Sequence, residues 1–516
     1  MAAQTPTTDV RPALQKSPII LVRGQSNYIY PDERLRPNNA EVMSNMNITE
    51  EGTAKKRRGA GKYNTAQISG GKAARGLIQR TFKGGAERFV EIAGSAIYTD
   101  DGSTRSAITG SVTVSDSAEA RIRSVFIDDK EICTDGVSES FYIDAAGNAE
   151  VLTGEMWSTC QDFVVQSNVL FALNTTESGT KYPTRLRWCD IDPTTLNMSV
   201  ATWPTDSLYE VYKDGFPIIA GVDAFDRLIV IKEDGVYPHE VVTEEGFIEV
   251  KKNKPLRGGF SPVARASVVT NPEFGVFIIT KDGAYVVRED FSFEPVSRHN
   301  QKDWNSLNQG RLQYAQSWIR ETDHQVRTLL SSSGNYTGHD RVMVWDWETG
   351  DLWFDTPGWA VNYGASWRLS NVEYDILTTT DGYVQKANDS GKSDDDGIDI
   401  DWRVKMSPND LGYPGVEKTI KNIRTFYRTQ AGQQTIQHVA SFNQGRSVSR
   451  RTNFSFGTSL QWNSGLKWNS GLEYPGANNE VATYFVNRMA ETVAPEWSGT
   501  DSIDLQGYQV EFTVEE

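Results

Sequence analysis

Residues 228–237 read Leu-Ile-Val-Ile-Lys-Glu-Asp-Gly-Val-Tyr. An apolar run, a polar break holding Asp234-Gly235 and a resumed apolar stretch predict a β-hairpin, because Asp-Gly suits tight turns that need positive φ. The same phrase returns at Phe277-Ile278-Ile279 before Asp282-Gly283-Ala284-Tyr285, and Asp-Gly also stands at 101–102, 135–136 and 381–382. Gly235 and Gly283 lie 48 residues apart, whereas Gly136 to Gly235 and Gly283 to Gly382 are each 99. Ninety-nine is about twice 48, so each long gap is expected to hold one further unit that lacks the dipeptide. Phe163-Val164-Val165 with Val169 to Leu173 fills the first gap, and Val342 to Trp347 with Leu352-Trp353-Phe354 fills the second. A repeat of about 40–50 residues with several short strands per unit is the mark of a β-propeller. The count predicts six or seven blades. Gly102 to Gly136 is only 34 residues, so the blade at the seam is expected to be incomplete or split.

Composition agrees with an all-β chain. The 516 residues include 14 Trp, 20 Tyr, 21 Phe and 43 Gly, a mixture suited to strands joined by tight turns. Few windows repeat apolar residues at helical spacing. This length ordinarily means two to four domains, and a propeller lowers that count. The formal charge is −16, the wrong sign for a clamp on DNA phosphates; an acidic surface suits solubility, or a channel through which DNA slides. Cys133, Cys160 and Cys189 are odd in number and form no CxxC pair. With no leader visible at the N-terminus, they read as buried thiols in a protein made in a reducing cytoplasm. Apolar runs such as Val276 to Ile279 are too short to span a bilayer, so no stable membrane insertion is expected.

The expected organisation is an extended N-terminal arm and docking segment (1–60), a propeller body (61–390), an acidic Gly/Ser-rich linker (391–397) and an antiparallel C-terminal β-domain (398–516). Ile398 to Val404 alternates as a half-buried strand. Inside this last domain Trp462-Asn-Ser-Gly-Leu466 is repeated as Trp468-Asn-Ser-Gly-Leu472, and Tyr474 continues the six-residue period. An even period puts the three aromatics on one face of an extended strand. One reading packs them on their own domain. The other, sharper reading makes Trp462, Leu466, Trp468, Leu472 and Tyr474 an exposed loop that contacts a neighbouring subunit, narrows a channel as a gate, or meets a membrane.

Catalytic signatures are missing from the sequence. The five histidines (239, 299, 324, 339 and 438) form no local metal motif. There is no GxSxG elbow and no phosphate-binding GxxxxGK[ST] loop, and carboxylate pairs in an acidic chain do not mark a glycosidase. Asp394-Asp395-Asp396-Gly397 lacks the spacing of a calcium loop and reads as a solvated linker rather than a cation site. Lys55-Lys56-Arg57-Arg58 is a basic turn suited to nucleic acid or to an acidic neighbouring subunit. No enzymatic activity, cofactor or metal is expected.

The N-terminal segment carries a resemblance. Leu21, Gly24-Gln25-Ser26, Pro31-Asp32, Asn45, Glu50-Glu51-Gly52 and Arg57-Arg58-Gly59 follow one another in the order that resembles the tail tubular protein B, or nozzle, family of short-tailed bacteriophages. About forty residues match in detail and the remainder in architecture. Gly59 departs from the pattern, standing where the family often has Pro, and the chain is shorter than the largest members. The resemblance implies a propeller-like body with added β-domains, in a hexameric ring below the portal and adaptor that extends the DNA channel and helps to retain packaged DNA. It implies a virion location after synthesis in the host cytoplasm, with the tail adaptor and tail fibre or spike proteins as partners. Gln25, Asp32, Lys55, Lys56, Arg57 and Arg58 become candidate inter-subunit docking residues. Six copies would carry a charge of −96, so passing DNA is expected to be bound weakly. Two alternatives belong to other classes. A virion-associated propeller glycosidase or depolymerase predicts Asp-box repeats, which are missing. A propeller scaffold for protein interactions predicts regular WD repeats, and only Trp345-Asp346 occurs.

Overall fold

The computed structural model describes residues 14–26, 39–49, 52–117, 120–191, 198–199, 202–212, 214–244, 247–253, 255–257, 261–335, 337–429, 434–443, 447–456 and 479–514. Strand dominates the described residues, among which the one α-helix is the short Gln301–Asn305. The chain divides into two bodies. The larger comprises Gly59–Leu352 and Thr356–Ile398, the smaller Met1–Arg58, Trp353–Asp355 and Asp399–Glu516.

The larger body is a succession of antiparallel meanders, the unit expected of a propeller. Sheet I is Ala74–Thr81, Glu87–Ala93, Ala96–Asp100 and Arg105–Ala107. Sheet II is Arg123–Ile127, Lys130–Thr134, Phe141–Ile143 and Ala149–Val151. Sheet III is Thr159–Gln166, Val169–Glu177, Thr180–Trp188 and Leu208–Glu210. Sheet IV is Ile218–Ala224, Arg227–Lys232, Gly235–Glu244 and Phe247–Lys252. Sheet V is Val269–Asn271, Gly275–Ile279, Ala284–Val287 and Phe293–Pro295. Sheet VI has Gln316–Arg320, Gln325–Leu330 and Arg341–Asp346 within this body. Sheet VII is Val361–Leu369, Val372–Thr379 and Val384–Asp389, to which Gly59–Asn64 adds an antiparallel fourth strand.

Apolar side chains fill the spaces between consecutive sheets, where the hydrophobic stabilisation of such a fold resides. Ile92, Phe141 and Ile143 lie in the cluster between sheets I and II, and Ile132, Phe163 and Leu170 between II and III. Phe171, Leu186 and Val230 join III to IV, and Ile229, Val276 and Ile278 join IV to V. Phe277 stacks on Trp345 with ring centroids 5.7 Å apart, linking V to VI, and the Trp318 indole donates to Asp375 Oδ1 at 2.8 Å, linking VI to VII. Trp367, Ile376 and Leu77 pack sheet VII against sheet I.

The Asp-Gly spacing now has a structural cause. At 135–136, 234–235, 282–283 and 381–382 the dipeptide stands at the turn from the second to the third strand of sheets II, IV, V and VII, Gly235 opening the third strand of sheet IV. Sheets III and VI turn there with Ser178-Gly179 and with a longer loop over 331–340, which explains both doubled intervals. Asp101-Gly102 sits between the third and fourth strands of sheet I, and this change of turn, rather than a broken blade, produces the short interval of 34. The split sheet is the seventh. Gly102, Gly136 and Gly382 have φ of +86°, +76° and +86°, as expected of left-handed turn positions. Gly283 has no such φ; a Cβ there would lie 2.6 Å from Ser297 Oγ.

The stretch expected to be a linker is built into the larger body. Gly59 N donates to Lys392 O at 2.9 Å and Asp396 N to Ala60 O at 2.9 Å. Buried Asp395 accepts from Gly358 N at 2.9 Å, and Asp396 pairs with Lys62 at 3.0 Å. The run is acidic because its carboxylates satisfy local donors. Gly59 is fitted to this place: it must donate, which proline cannot do, and a Cβ would stand 2.0 Å from Asp394 O.

The smaller body is a two-layer β-sandwich. One layer orders Met46–Ile48, Ala54–Lys56, Ile503–Val514, Lys418–Thr429 and Asn479–Ala490. The other contains Asn39–Ser44, Trp402–Met406, Val493–Gly499, Gln434–Phe442 and Ser447–Phe456. Trp497 ties the layers together: its indole donates to Thr425 Oγ1 at 3.0 Å and its ring lies 5.6 Å from Tyr508, while within its own layer it stacks on His438 at 5.4 Å. The sequence expectation of a C-terminal β-domain over 398–516 therefore omits part of the body, since strands from residues 39–56 are paired into both layers.

Candidate assembly surface

The docking residues expected from the N-terminal segment are largely occupied within their own chain. Gln25 is buried and its Nε2 donates to Glu41 O at 3.3 Å. Lys55 lies in strand Ala54–Lys56, opposite Asp504 on one side and Asn47 on the other. Lys56 is buried and donates to Thr500 O. Arg57 Nε donates to Asn45 Oδ1 at 3.0 Å, and Arg58 is the exposed member of the basic turn. Asp32, and with it Trp462, Leu466, Trp468, Leu472 and Tyr474, lies outside the described residues.

A surface that the sequence reading missed lies on strand Asn479–Ala490. This strand ends its layer, and among the described residues no strand pairs with its outer edge. Alternate side chains diverge, as strand geometry requires. Ala482 and Tyr484 are buried, with the Tyr484 ring 4.6 Å from His438. On the opposite face Val481, Phe485 and Met489 are 52%, 71% and 46% exposed. Phe426, half-buried, stands beside Val481 in the register. Further across the sheet buried Glu511 accepts from Asn422 at 2.8 Å and pairs with the more exposed Lys16 at 3.1 Å and Arg424 at 2.9 Å. The Asn422 hydrogen bond, followed by the two cations, holds the Glu511 carboxyl below its ordinary range despite partial desolvation. An apolar patch with a charged border on an open strand edge has the composition of a protein interface. The signal was present at 481–486, Val-Ala-Thr-Tyr-Phe-Val, a strand apolar on both faces where a surface strand needs only one.

No group of three or more His, Cys, Asp or Glu side chains suited to a metal occurs among the described residues. The three thiols are free and buried, and desolvation pushes Cys160 and Cys189 up to about 12. His239 and His438 are held neutral by burial, at about 4 and about 3. No helix among the described residues is long and apolar enough to cross a membrane.

No family model matches the chain, and no curated protein matches it. Among solved structures it is similar to the BBS1N chain in the crystal structure of BBS1N in complex with ARL6DN soaked with lead, at TM-score 0.39 and 12% identity over 68% of this chain and 98% of that one. The mercury-soaked crystal gives TM-score 0.38 and 14% identity over 65% and 99%.

Proposed function

We propose that this chain is a structural subunit of a short-tailed phage tail, of the nozzle or tail tubular B class. In this reading six copies close into a ring that extends the DNA channel, helps to retain the packaged genome and passes it at ejection. The observation that carries the assembly reading is the apolar outer face of Asn479–Ala490 and its outer edge, unpaired among the described residues. An exposed strand edge is a template for pairing with another chain, and a closed ring sets one patch of each subunit against a different patch of the next. Burying a side chain such as Phe485 contributes about 1.5–3 kcal/mol, repeated at every interface. The N-terminal order Leu21, Gly24 to Ser26, Asn45, Gly52 and Arg57 to Gly59 supports the phage class. In the same reading the larger body is a seven-bladed propeller closed by Gly59–Asn64, the subunit acts without enzymatic chemistry, its neighbours are the tail adaptor and fibre or spike proteins, and its contacts with DNA are weak.

Native mass spectrometry of the purified chain, alone and with the virion adaptor, tests the proposal. A ring of identical copies that Phe485→Lys converts to monomers is the expected result. A monomer at every concentration that also ignores the adaptor, or tight salt-sensitive binding to non-specific DNA, would overturn it.

A further inference from the structure

The buried Arg121 and Arg265 of the larger body have no part in the assembly reading. Several elements converge there on an open cavity of about 790 Å³, a volume ordinary for a small-molecule site. Arg121 precedes sheet II, Lys181 belongs to sheet III, Arg265 stands on the turn Arg265–Ser267 before sheet V, Lys281 on a turn of sheet V, and Tyr314 closes the turn Gln309–Tyr314 before sheet VI. Glu233 is the acidic residue of the lining, against four basic ones.

Arg121 and Arg265 are only 4% and 7% exposed, and among the described residues neither forms an ion pair. Arg265 spends its guanidinium on backbone carbonyls: it donates to Gln161 O, to Arg121 O and, at 3.3 Å, to Asp135 O. Arg121 donates to Asn362 O at 2.6 Å and lies 5.9 Å from the Tyr314 ring centre, while its buried Nε has no partner. Arg311 lies 5.2 Å over the same ring. The contrast with other buried arginines of this body is sharp. Arg187 pairs with Glu177 at 2.8 Å, and Arg327 with Asp375 at 2.7 Å. Burial, reinforced by Arg311 and Arg75 against the opposing influence of Tyr363, pulls the Arg121 guanidinium down to about 10.

Buried charges are ordinarily paired, because desolvation is costly. Here hydrogen bonds to neutral carbonyls satisfy donors without cancelling charge. We infer that this cavity binds a small oxyanion, a phosphate or carboxylate group, which supplies the counter-charge that Arg121 lacks and is drawn in by Lys181 and Lys281. A planar guanidinium is suited to both kinds of oxyanion.

Thermal unfolding and calorimetric titration of the full chain with inorganic phosphate, and separately with citrate, test the inference at constant ionic strength set by chloride. Saturable binding of either anion, with a rise in Tm that chloride does not reproduce, is expected. Binding by phosphate alone assigns a phosphoryl ligand, and binding by citrate alone a polycarboxylate. Lys181→Gln with Lys281→Gln alters two exposed positions and is expected to weaken binding at least about tenfold (1.4 kcal/mol) without changing the ligand-free Tm. Arg121→Met is expected to abolish binding and leave the ligand-free Tm unchanged or higher. If Arg121→Met fails to fold, the lysine double variant decides alone. Absence of saturable binding of both anions at 50-fold excess over a millimolar Kd, or unchanged binding in the lysine double variant, overturns the inference.

Discussion

The two bodies reach their cores by opposite routes. In the larger, nearly every strand pairs with a neighbour a few residues away, across short turns of which several carry Asp-Gly or Asn. In the smaller, strand Ala54–Lys56 pairs with Ile503–Val514, and Asn39–Ser44 with Trp402–Met406, across most of the chain length. Local pairing leaves a periodic trace in the sequence, whereas long-range pairing leaves only a pattern of apolar residues with no address. The consequence is a difference in how each body fails. Removing residues 1–58 should preserve sheets I to VII, which begin at Gly59, while stripping strands from both layers of the sandwich. Hydrogen exchange on the truncated chain is expected to show loss of protection in Lys418–Thr429 and Ile503–Val514 and retained protection at 159–177. Retained protection in both regions would erase the distinction.

The same distinction sets what could be read from the sequence. The hairpins at 228–237 and 277–285 were legible, because apolar runs flank a turn dipeptide. The doubled spacing located sheets III and VI correctly without any Asp-Gly in them. Turns that use other residues at positive φ, such as Ser167-Asn168, Phe225-Asp226 and Ser370-Asn371, were not legible, since Phe225 carries no turn signal. The acidic run 394–397 misled, because composition alone does not distinguish carboxylates in water from carboxylates accepting backbone N–H groups. The apolar outer face at 481–489 was hidden because apolar residues in a strand are read as core.

Trp497 sharpens the comparison within the sandwich. It is buried, bridges both layers and donates to Thr425, so Trp497→Ala should cost about 3–5 kcal/mol. In calorimetry the transition assigned to the smaller body should fall while that of the larger stays in place. A common shift of both would mean that the bodies unfold as one.

Acid separates them next. His438 and His239 have folded-state values depressed to about 3 and about 4 from an ordinary 6.5, mainly by burial. A depressed histidine gives stability that is complete above pH 6.5 and is lost as pH falls toward the folded value. At pH 4 the His438 contribution alone is on the order of a few kcal/mol. His438→Phe should therefore flatten the smaller body's decline between pH 6.5 and 3, leaving the larger body's decline untouched. An unchanged pH profile would show that other groups govern acid unfolding.

A smaller effect belongs to the larger body. Gly382 has φ +86°, and a Cβ there would approach the backbone carbon of Gly71 to 2.8 Å. Gly382→Ala should cost about 1–3 kcal/mol through left-handed strain and displacement of that neighbour. Gly350 also has positive φ, at +73°, but opens onto free space, so Gly350→Ala should cost less than Gly382→Ala. Equal losses at both sites would mean that backbone strain alone, not the close approach to Gly71, limits this turn.

The smallest effect on stability is expected where the effect on assembly is largest. Phe485 is 71% exposed and lies on a strand whose outer edge is unpaired among the described residues. Surface substitutions away from packed features usually change stability by no more than about 0.5 kcal/mol, so Phe485→Lys should leave the monomer's Tm nearly unchanged. On the inner face of the same strand Tyr484 packs on His438, and Tyr484→Ala should lower Tm clearly. Charge at an exposed edge opposes chain-to-chain pairing, so native mass spectra of Phe485→Lys should lose the oligomer that the parent chain forms. Tyr484→Ala, studied below its own Tm, should keep it. The two neighbouring positions thus separate folding from assembly on a single strand. If Phe485→Lys lowers Tm as much as Tyr484→Ala while oligomers persist, the outer face is covered within the chain itself and the assembly surface must lie elsewhere.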